Sequence, residues 1–366
     1  MLKRKTKTTI ILAAAVSVAF SAAGGGCQWL DRSRTPYKGA GAATTAKKNA
    51  TVSPEHIGKP PAVLGSERKT SGKGGADANL AKAFSLQQQG QYEMALNEFE
   101  RAIEVNPRLT VAYMGAGDIY RQRGDYDSAQ KRYGKAADIE PRNFNANYMN
   151  GLMLQLLNRL GESVRAYLQA LTVKPDDFNA NLNLATAYLQ LNEPLEGLPY
   201  GQRAVQLNSR DAAARTNLGA IFGALNRHEE AVVEYQQAAE LAELTAPLLL
   251  NLSESLGKIQ RYGEMVNTLG QLVKTEPTAI AYERLGFGQF RLRQYPDALA
   301  SFRKALEIDP NHFPALNGVG VCLLNQWKFS NEVDEAAKSQ AIQALRRSVQ
   351  IEPQQPKILE LLGRYK

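Results

Sequence analysis

From residue 76 to residue 355, apolar side chains recur at intervals of three and four, the spacing that lines one face of an α-helix. The faces are short and return in a fixed rhythm. Residues 90–107 read GQYEMALNEFERAIEVNP, and one repeat later residues 124–141 read GDYDSAQKRYGKAADIEP. Proline stands at 107, 141, 175, 277, 310 and 353, and Ser209 and Glu243 fill the two slots between 175 and 277. Twelve residues before each slot comes a small side chain: Ala95, Ala129, Ser163, Gly197, Ala231, Ala298 and Ala341, with Met265 the exception. Eight before it comes a ring or a leucine: Phe99, Tyr133, Tyr167, Tyr235, Leu269, Phe302 and Leu345, with Gly201 the gap. A second small set lies earlier in each unit, at Ala83, Gly117, Gly151, Ala185, Gly219, Ser253, Gly286 and Gly320.

Eight units in one phase, with a period of about 34 residues, resemble the tetratricopeptide repeat, in which each unit is two antiparallel helices. The resemblance covers residues 76–355 and implies an all-α, right-handed superhelical solenoid of about eight helix-turn-helix units. The residue chemistry fits. Small residues let the two helices of a unit approach, and the ring is expected to fill the space to the neighbouring unit. Proline ends the second helix because it lacks an N–H and disfavours helix in the residue before it. No unit covers its own apolar face, so each depends on its neighbours. Residues 356–366, PKILELLGRYK, are expected to close the last unit as a capping helix through Ile358, Leu359 and Leu362.

Three departures stand out. Unit four carries Pro194, Gly197, Pro199 and Gly201 where its second helix should pack, which predicts a weak seam there. Unit six has Met265, Leu269 and Leu272 in place of small residues and ring. Unit eight has about nine extra residues, expected between its helices, since Gly320 stands further from Pro353 than Gly286, its counterpart in unit seven, stands from Pro310.

The N-terminus is of another kind. Residues 1–27 pair a basic head (Lys3, Arg4, Lys5, Lys7) with an uncharged, Ala-rich run that ends GGGC at Cys27, the pattern of an export signal. The end resembles the lipobox of bacterial lipoproteins, which implies acylation of Cys27, although Gly24 stands where that motif has leucine. Cleavage after Ala23 to a soluble product, or an uncleaved anchor, are the alternatives. Residues 28–75 have no periodicity and are rich in Gly, Ala, Thr, Ser, Pro and Lys, which predicts a flexible linker. The expected location is therefore the cell envelope, as a membrane-anchored lipoprotein or a soluble periplasmic or secreted protein.

The formal charge of +8 belongs to this tail. Residues 1–75 hold 13 basic and 3 acidic side chains, leaving 31 and 33 for the repeats. A near-neutral body argues against nucleic acid, which needs a basic stripe on the folded face. Three scattered histidines, His56, His228 and His312, suggest no metal site. No phosphate loop, cofactor motif or catalytic constellation emerges, so no cofactor and no enzymatic activity are expected. Cys322, in an apolar run, reads as a buried small hydrophobe.

What remains is a surface. The family resemblance implies that the first helices line a concave groove, with the sixth position of each facing in. Here that position reads Met149, Asn183, Asn217, Asn251 and Arg284, and the three asparagines fall one repeat apart. They resemble the asparagine ladder of the repeat domain in O-linked N-acetylglucosamine transferases, which grips extended peptide backbone. An amide offers both donor and acceptor and so pairs with a peptide unit whatever its side chain; the alternative is that it only bridges helices. Tyr148, Leu152, Leu182, Leu189 and Phe287 are expected to face the groove as well. The family's other design, a carboxylate clamp, needs lysine at the fifth position, where none occurs here. The leading reading is a noncatalytic scaffold that binds extended peptides or proteins in the bacterial envelope. An accessory subunit presenting substrates to a separate enzyme, or a self-assembling structural component, are the alternatives.

Overall fold

Each unit starts, stops and turns by the same local chemistry. The computed structural model describes residues 74–365, so the export signal, Cys27 and the linker up to residue 73 lie outside the described residues. Seventeen helices follow one another, with no strand among the described residues. The first eight are α1 (Gly74–Gln88), α2 (Tyr92–Val105), α3 (Thr110–Gln122), α4 (Tyr126–Ile139), α5 (Phe144–Leu156), α6 (Leu160–Val173), α7 (Phe178–Gln190) and α8 (Pro194–Leu207). Then come α9 (Ala212–Ala224), α10 (His228–Leu241), α11 (Ala246–Lys258), α12 (Tyr262–Thr275), α13 (Ala279–Arg291), α14 (Tyr295–Ile308), α15 (Phe313–Phe329), α16 (Glu335–Ile351) and α17 (Pro356–Arg364). Odd-numbered helices up to α15 open a unit and even-numbered ones close it.

Asn143, Asp177 and Asp211 start α5, α7 and α9 by accepting the backbone N–H three residues on, at 2.8–3.1 Å. Thr245 and Thr278 occupy the same slot before α11 and α13. At the other end, Gly90, Gly124, Asn158, Asn192, Asn226, Gln260 and Arg293 all have φ between 57° and 75°. The next N–H then returns to the carbonyl five residues back, as from Arg159 to Leu154 at 2.8 Å and from Arg227 to Phe222 at 2.9 Å. This is the Schellman closure, and it needs a left-handed residue that glycine supplies freely and asparagine tolerates.

Rings on the second helices hold the pairs together, chiefly within their own unit. A methyl group on Gly117, Gly151 or Gly219 would lie 2.8 Å from the ring of Tyr133, Tyr167 or Tyr235, each on the second helix of the same unit. Only some rings also reach across: Gly115 and Gly318, on the following units, lie under Phe99 and Phe302. The expectation that the ring mainly fills the gap to the neighbour is thus corrected. It seats on the small residue of its own first helix, and Tyr133 and Tyr167 are wholly buried there.

The departures have compensations. Gly201 leaves the ring slot empty, and Ile221 and Leu218 of α9 fill it from the next unit. Helix α8 nevertheless runs unbroken through Pro199, with Pro194 in its first turn, where a missing N–H costs nothing. Met265 is buried in unit six because glycines on the helices either side, Gly257 and Gly288, face its sulfur. The extra residues of unit eight mostly enter helix, not loop: α15 and α16 have 17 residues each, against 13 and 14 in unit seven. The lengthened end is pinned by Trp327, whose indole N–H donates to the Glu332 carbonyl at 3.0 Å and whose ring meets Tyr365 edge-on at 5.7 Å.

Both ends of the stack are closed. Helix α17 buries Ile358, Leu361 and Leu362. Leu359, expected in that set, is 49 % exposed, because at 3.6 residues per turn it lies roughly 100° round the helix from Ile358, at the edge of the stripe that Ile358, Leu361 and Leu362 centre. At the other end, α1 turns Asp77, Ala78, Ala81, Lys82 and Ser85 to solvent, a polar or small face that needs no cover.

Candidate interaction surface on the first helices

Successive first helices touch one another from α5 through α15, in addition to the helix that precedes each of them. They therefore form the tighter, inner layer of the stack, and their sixth positions fall between neighbours. Asn183 on α7 donates to the Tyr148 hydroxyl on α5 at 3.1 Å. Asn217 on α9 donates to the Leu182 carbonyl on α7 at 3.3 Å and to the Thr186 hydroxyl. Arg284 on α13 donates to the Leu250 carbonyl on α11 at 3.0 Å and pairs with Glu254 at 3.3 Å. Each reaches back one unit. Asn251 differs: among the described residues none hydrogen-bonds its amide, which is half-buried.

The three asparagines are thus not equivalent, although their spacing makes them look so. Two already spend a donor inside the stack, and one is available. Tyr148 is half-buried, and burial, with Asp177 adding to it, pushes its phenol up to about 12; the bond from Asn183 works the other way. At neutral pH it is an uncharged hydroxyl.

The apolar residues expected in the groove divide. Leu152 is 1 % exposed and belongs to the core with Tyr133 and Tyr167, so it offers no surface to a ligand. Leu182 is buried with Ala204 and Ala214, and only its carbonyl, held by Asn217, reaches the inner layer. Both point into the stack because the fold turns their positions toward the second helices. Leu189 is half-buried on α7. Phe287 is half-buried on α13, edge-on to Tyr262 at 6.2 Å, with the Arg291 guanidinium over both rings.

Next to Arg284, the fifth position of unit seven is Glu283. Burial raises its carboxyl to about 7, against the smaller opposing pull of Arg284. In consequence the inner layer of units six and seven carries the unspent amide of Asn251, the Glu283 carboxyl, the paired Arg284 and Phe287, whose ring meets Tyr262 at the start of the second helix α12.

Two further series with the period of the repeat were not singled out in the sequence. Asn147 and Asn181 donate to the Pro141 and Pro175 carbonyls six residues back, at 3.0 and 2.9 Å, and Arg215 and Tyr113 do the same to Ser209 and Pro107. They tie the inter-unit loop to the helix it starts. Asn158, Asn192 and Asn226 are the left-handed turn residues described above. The signal that separates these from the inner-layer series is their phase against the capping residue, not their identity.

Among the described residues no group of histidine, cysteine and carboxylate side chains is arranged to hold a metal ion. His228 opens α10 half-buried, its imidazole held below the usual range by burial and by Lys258. Cys322 is buried in α15. No helix among the described residues is long and apolar enough to cross a membrane.

Tetratricopeptide-repeat profiles match residues 76–142, 114–180, 148–211, 182–244 and 279–312, together more than half of the chain. No curated protein sequence matches it. Among solved structures, a tetratricopeptide repeat protein from Parabacteroides merdae superimposes with a TM-score of 0.47 at 15% identity, over 68% of this chain and 99% of that one. The pilF protein of Pseudomonas aeruginosa gives 0.45 at 19% identity, over 61% and 96%. YrrB, described as a TPR protein with an unusual peptide-binding site, gives 0.38 at 22% identity, over 60% and 95%. With the profiles, the paired helices and the recurring closures in agreement, the chain belongs to the tetratricopeptide-repeat family, whose stacked helices serve as scaffolds for protein–protein interaction.

Proposed function

We propose that this chain is a noncatalytic scaffold of the bacterial cell envelope that binds extended polypeptide segments along the inner layer of its first helices, centred on units six and seven. The observation that carries this reading is the Asn251 amide. It stands in the ladder series with both donor and acceptor unspent, one unit before Phe287, whose ring packs on Tyr262 of the Asn251 unit. An uncharged amide matches a peptide unit irrespective of sequence, and an adjacent ring supplies apolar area for one side chain. Asn183 and Asn217 take a supporting part: their carbonyl oxygens remain for a ligand while their N–H groups fix the spacing of the helices. The envelope location rests on the sequence of residues 1–27 and on Cys27.

A photo-crosslinking residue placed at Asn251 should capture envelope proteins that the same residue at exposed Glu240, on the second-helix layer, does not. Equal capture from both positions would end the inner-layer reading. For the location, Cys27→Ser should abolish lipid labelling and release the protein from membranes, since one or two acyl chains with a basic tail suffice for attachment. Unchanged membrane retention of the variant would remove the anchor from the proposal and leave the scaffold.

A further inference from the structure

The interface between units two and three breaks the repeat pattern at two facing positions. Eleven residues before the proline slot, every other unit has an aliphatic side chain: Leu96, Val164, Leu198, Val232, Val266, Leu299 and Ile342; unit two has Gln130. At the seventh position of the first helix, the units that pack on a preceding one have Ala116, Leu184, Leu218, Leu252, Leu285 and Val319; unit three has Asn150. Those six side chains are all buried. In unit one, which has no described unit before it, the same slot holds solvent-facing Lys82.

The two departures meet. Gln130 Nε2 donates to Asn150 Oδ1 at 3.1 Å, and Arg159 donates to Gln130 Oε1 at 3.1 Å. Both amides are half-buried, not sealed. Gly134, one turn further along α4, gives them room, since a methyl group there would meet Gln130 Nε2 at 3.1 Å and Asn150 Oδ1 at 3.4 Å. Beside them a cleft of 460 Å³ opens between α4 and α6, floored by α5, with Asp138, Glu162, Arg165 and Gln169 around the amide pair.

We propose that this cleft is a second polypeptide-binding site, separate from the inner layer. Replacing a buried aliphatic pair by amides gives up apolar burial of about 1 kcal/mol or more at each position, so packing alone does not favour it. The cleft is open rather than enclosed, which suits a chain lying across it better than a small molecule, whose sites bury most of the ligand. Its floor is uncharged amide, Glu162 is paired with Arg159 at 2.6 Å, and the remaining Asp138 and Arg165 are opposite in sign, so it selects no strong charge. Asn150 keeps its two N–H donors and Gln130 a second N–H for a ligand, and the peptide unit presents matching carbonyls at about 3.3 Å per residue.

The test uses the full chain and selection from a display library of random dodecapeptides. Gln130→Val with Asn150→Leu installs the pair already present and buried at Val232 and Leu252, so it should fold with an unchanged or raised Tm. Should it unfold, Asn150→Ala, the residue unit two carries at Ala116, serves instead. The expected result is a family of peptides whose affinity falls at least about tenfold in that variant and is kept in Asn251→Ala/Phe287→Ala. Failure of the inner-layer reading would appear separately, as the absence of any selected peptide whose affinity falls in the Asn251/Phe287 variant. The cleft proposal is overturned if no selected peptide responds to the Gln130/Asn150 variant, or if the cleft takes an oligosaccharide such as cellohexaose and no peptide.

Discussion

Ile221, on the first helix of unit five, occupies the space that Gly201 leaves empty in unit four. A side chain beginning at Gly201 would meet Ile221 Cδ1 at 3.0 Å and Leu218 Cδ1 at 3.5 Å. Gly201→Phe would restore the ring that most units carry and improve helix propensity by about 0.5 kcal/mol. It should still destabilise the stack, by about 1–3 kcal/mol, because the site is already full. Adding Ile221→Ala should recover part of that loss, a coupling that urea unfolding of the single and double variants measures.

Glycines in these helices divide by what faces them. Gly151→Ala and Gly219→Ala drive a methyl group to 2.8 Å from the Tyr167 and Tyr235 rings and should cost about 1–3 kcal/mol. Gly270→Ala, in α12 with nothing within 4 Å, should gain about 0.5–1 kcal/mol from helix propensity. Thermal melts of the three variants should shift in opposite directions accordingly.

Asn217→Ala removes a donor shared by the Leu182 carbonyl and the Thr186 hydroxyl, and should lower stability by about 1 kcal/mol. Asn251→Ala removes no internal bond and should leave Tm within the error of measurement while weakening partner capture. A fall in Tm for Asn251→Ala equal to that of Asn217→Ala would return all three asparagines to a structural role.

Glu283 gives the fold a pH dependence of defined sign. Its folded-state pKa lies at about 7, above the ordinary glutamate value of 4.5, so the folded state binds the proton more tightly than the unfolded one. Its contribution is complete below about pH 4.5 and is lost as the pH rises toward 7. With the side chain half-buried, the loss should be on the order of 1 kcal/mol. Glu283→Gln should flatten that segment of the stability profile, read from urea midpoints between those two pH values.

Gln260 and Arg293 sit at φ 62° and 63° in turns that other units make with Gly or Asn. Gln260→Gly and Arg293→Gly should each raise stability by up to about 1 kcal/mol by relieving the left-handed backbone. Calorimetric Tm values below that of the parent chain would show that those side chains hold the turn by other contacts.

Helix pairs, unit boundaries and the closing helix were legible in the sequence because they depend on periodicity, proline and small-residue spacing, which act locally and repeat. The candidate surface was only partly legible. Asn183, Asn217 and Asn251 share one phase, but whether an amide is spent depends on what the previous unit offers: a Tyr148 hydroxyl, a Leu182 carbonyl with a Thr186 hydroxyl, or nothing. Leu152 and Leu182 look like groove residues by position and are buried, since Tyr133 and Tyr167 pack with the first and Ala204 and Ala214 with the second.

By itself, then, the sequence determined what one unit is: two helices with a proline at the end of the second, a small residue on each and a ring on the second, all repeated with one period. Tertiary structure decided what the units become to each other. That Ile221 replaces the ring missing at Gly201, that Gly257 and Gly288 make room for Met265, and that Gln130 meets Asn150 are facts of contact between units. Close packing fixes such compensations only when the neighbour's shape is present, and no local preference encodes it.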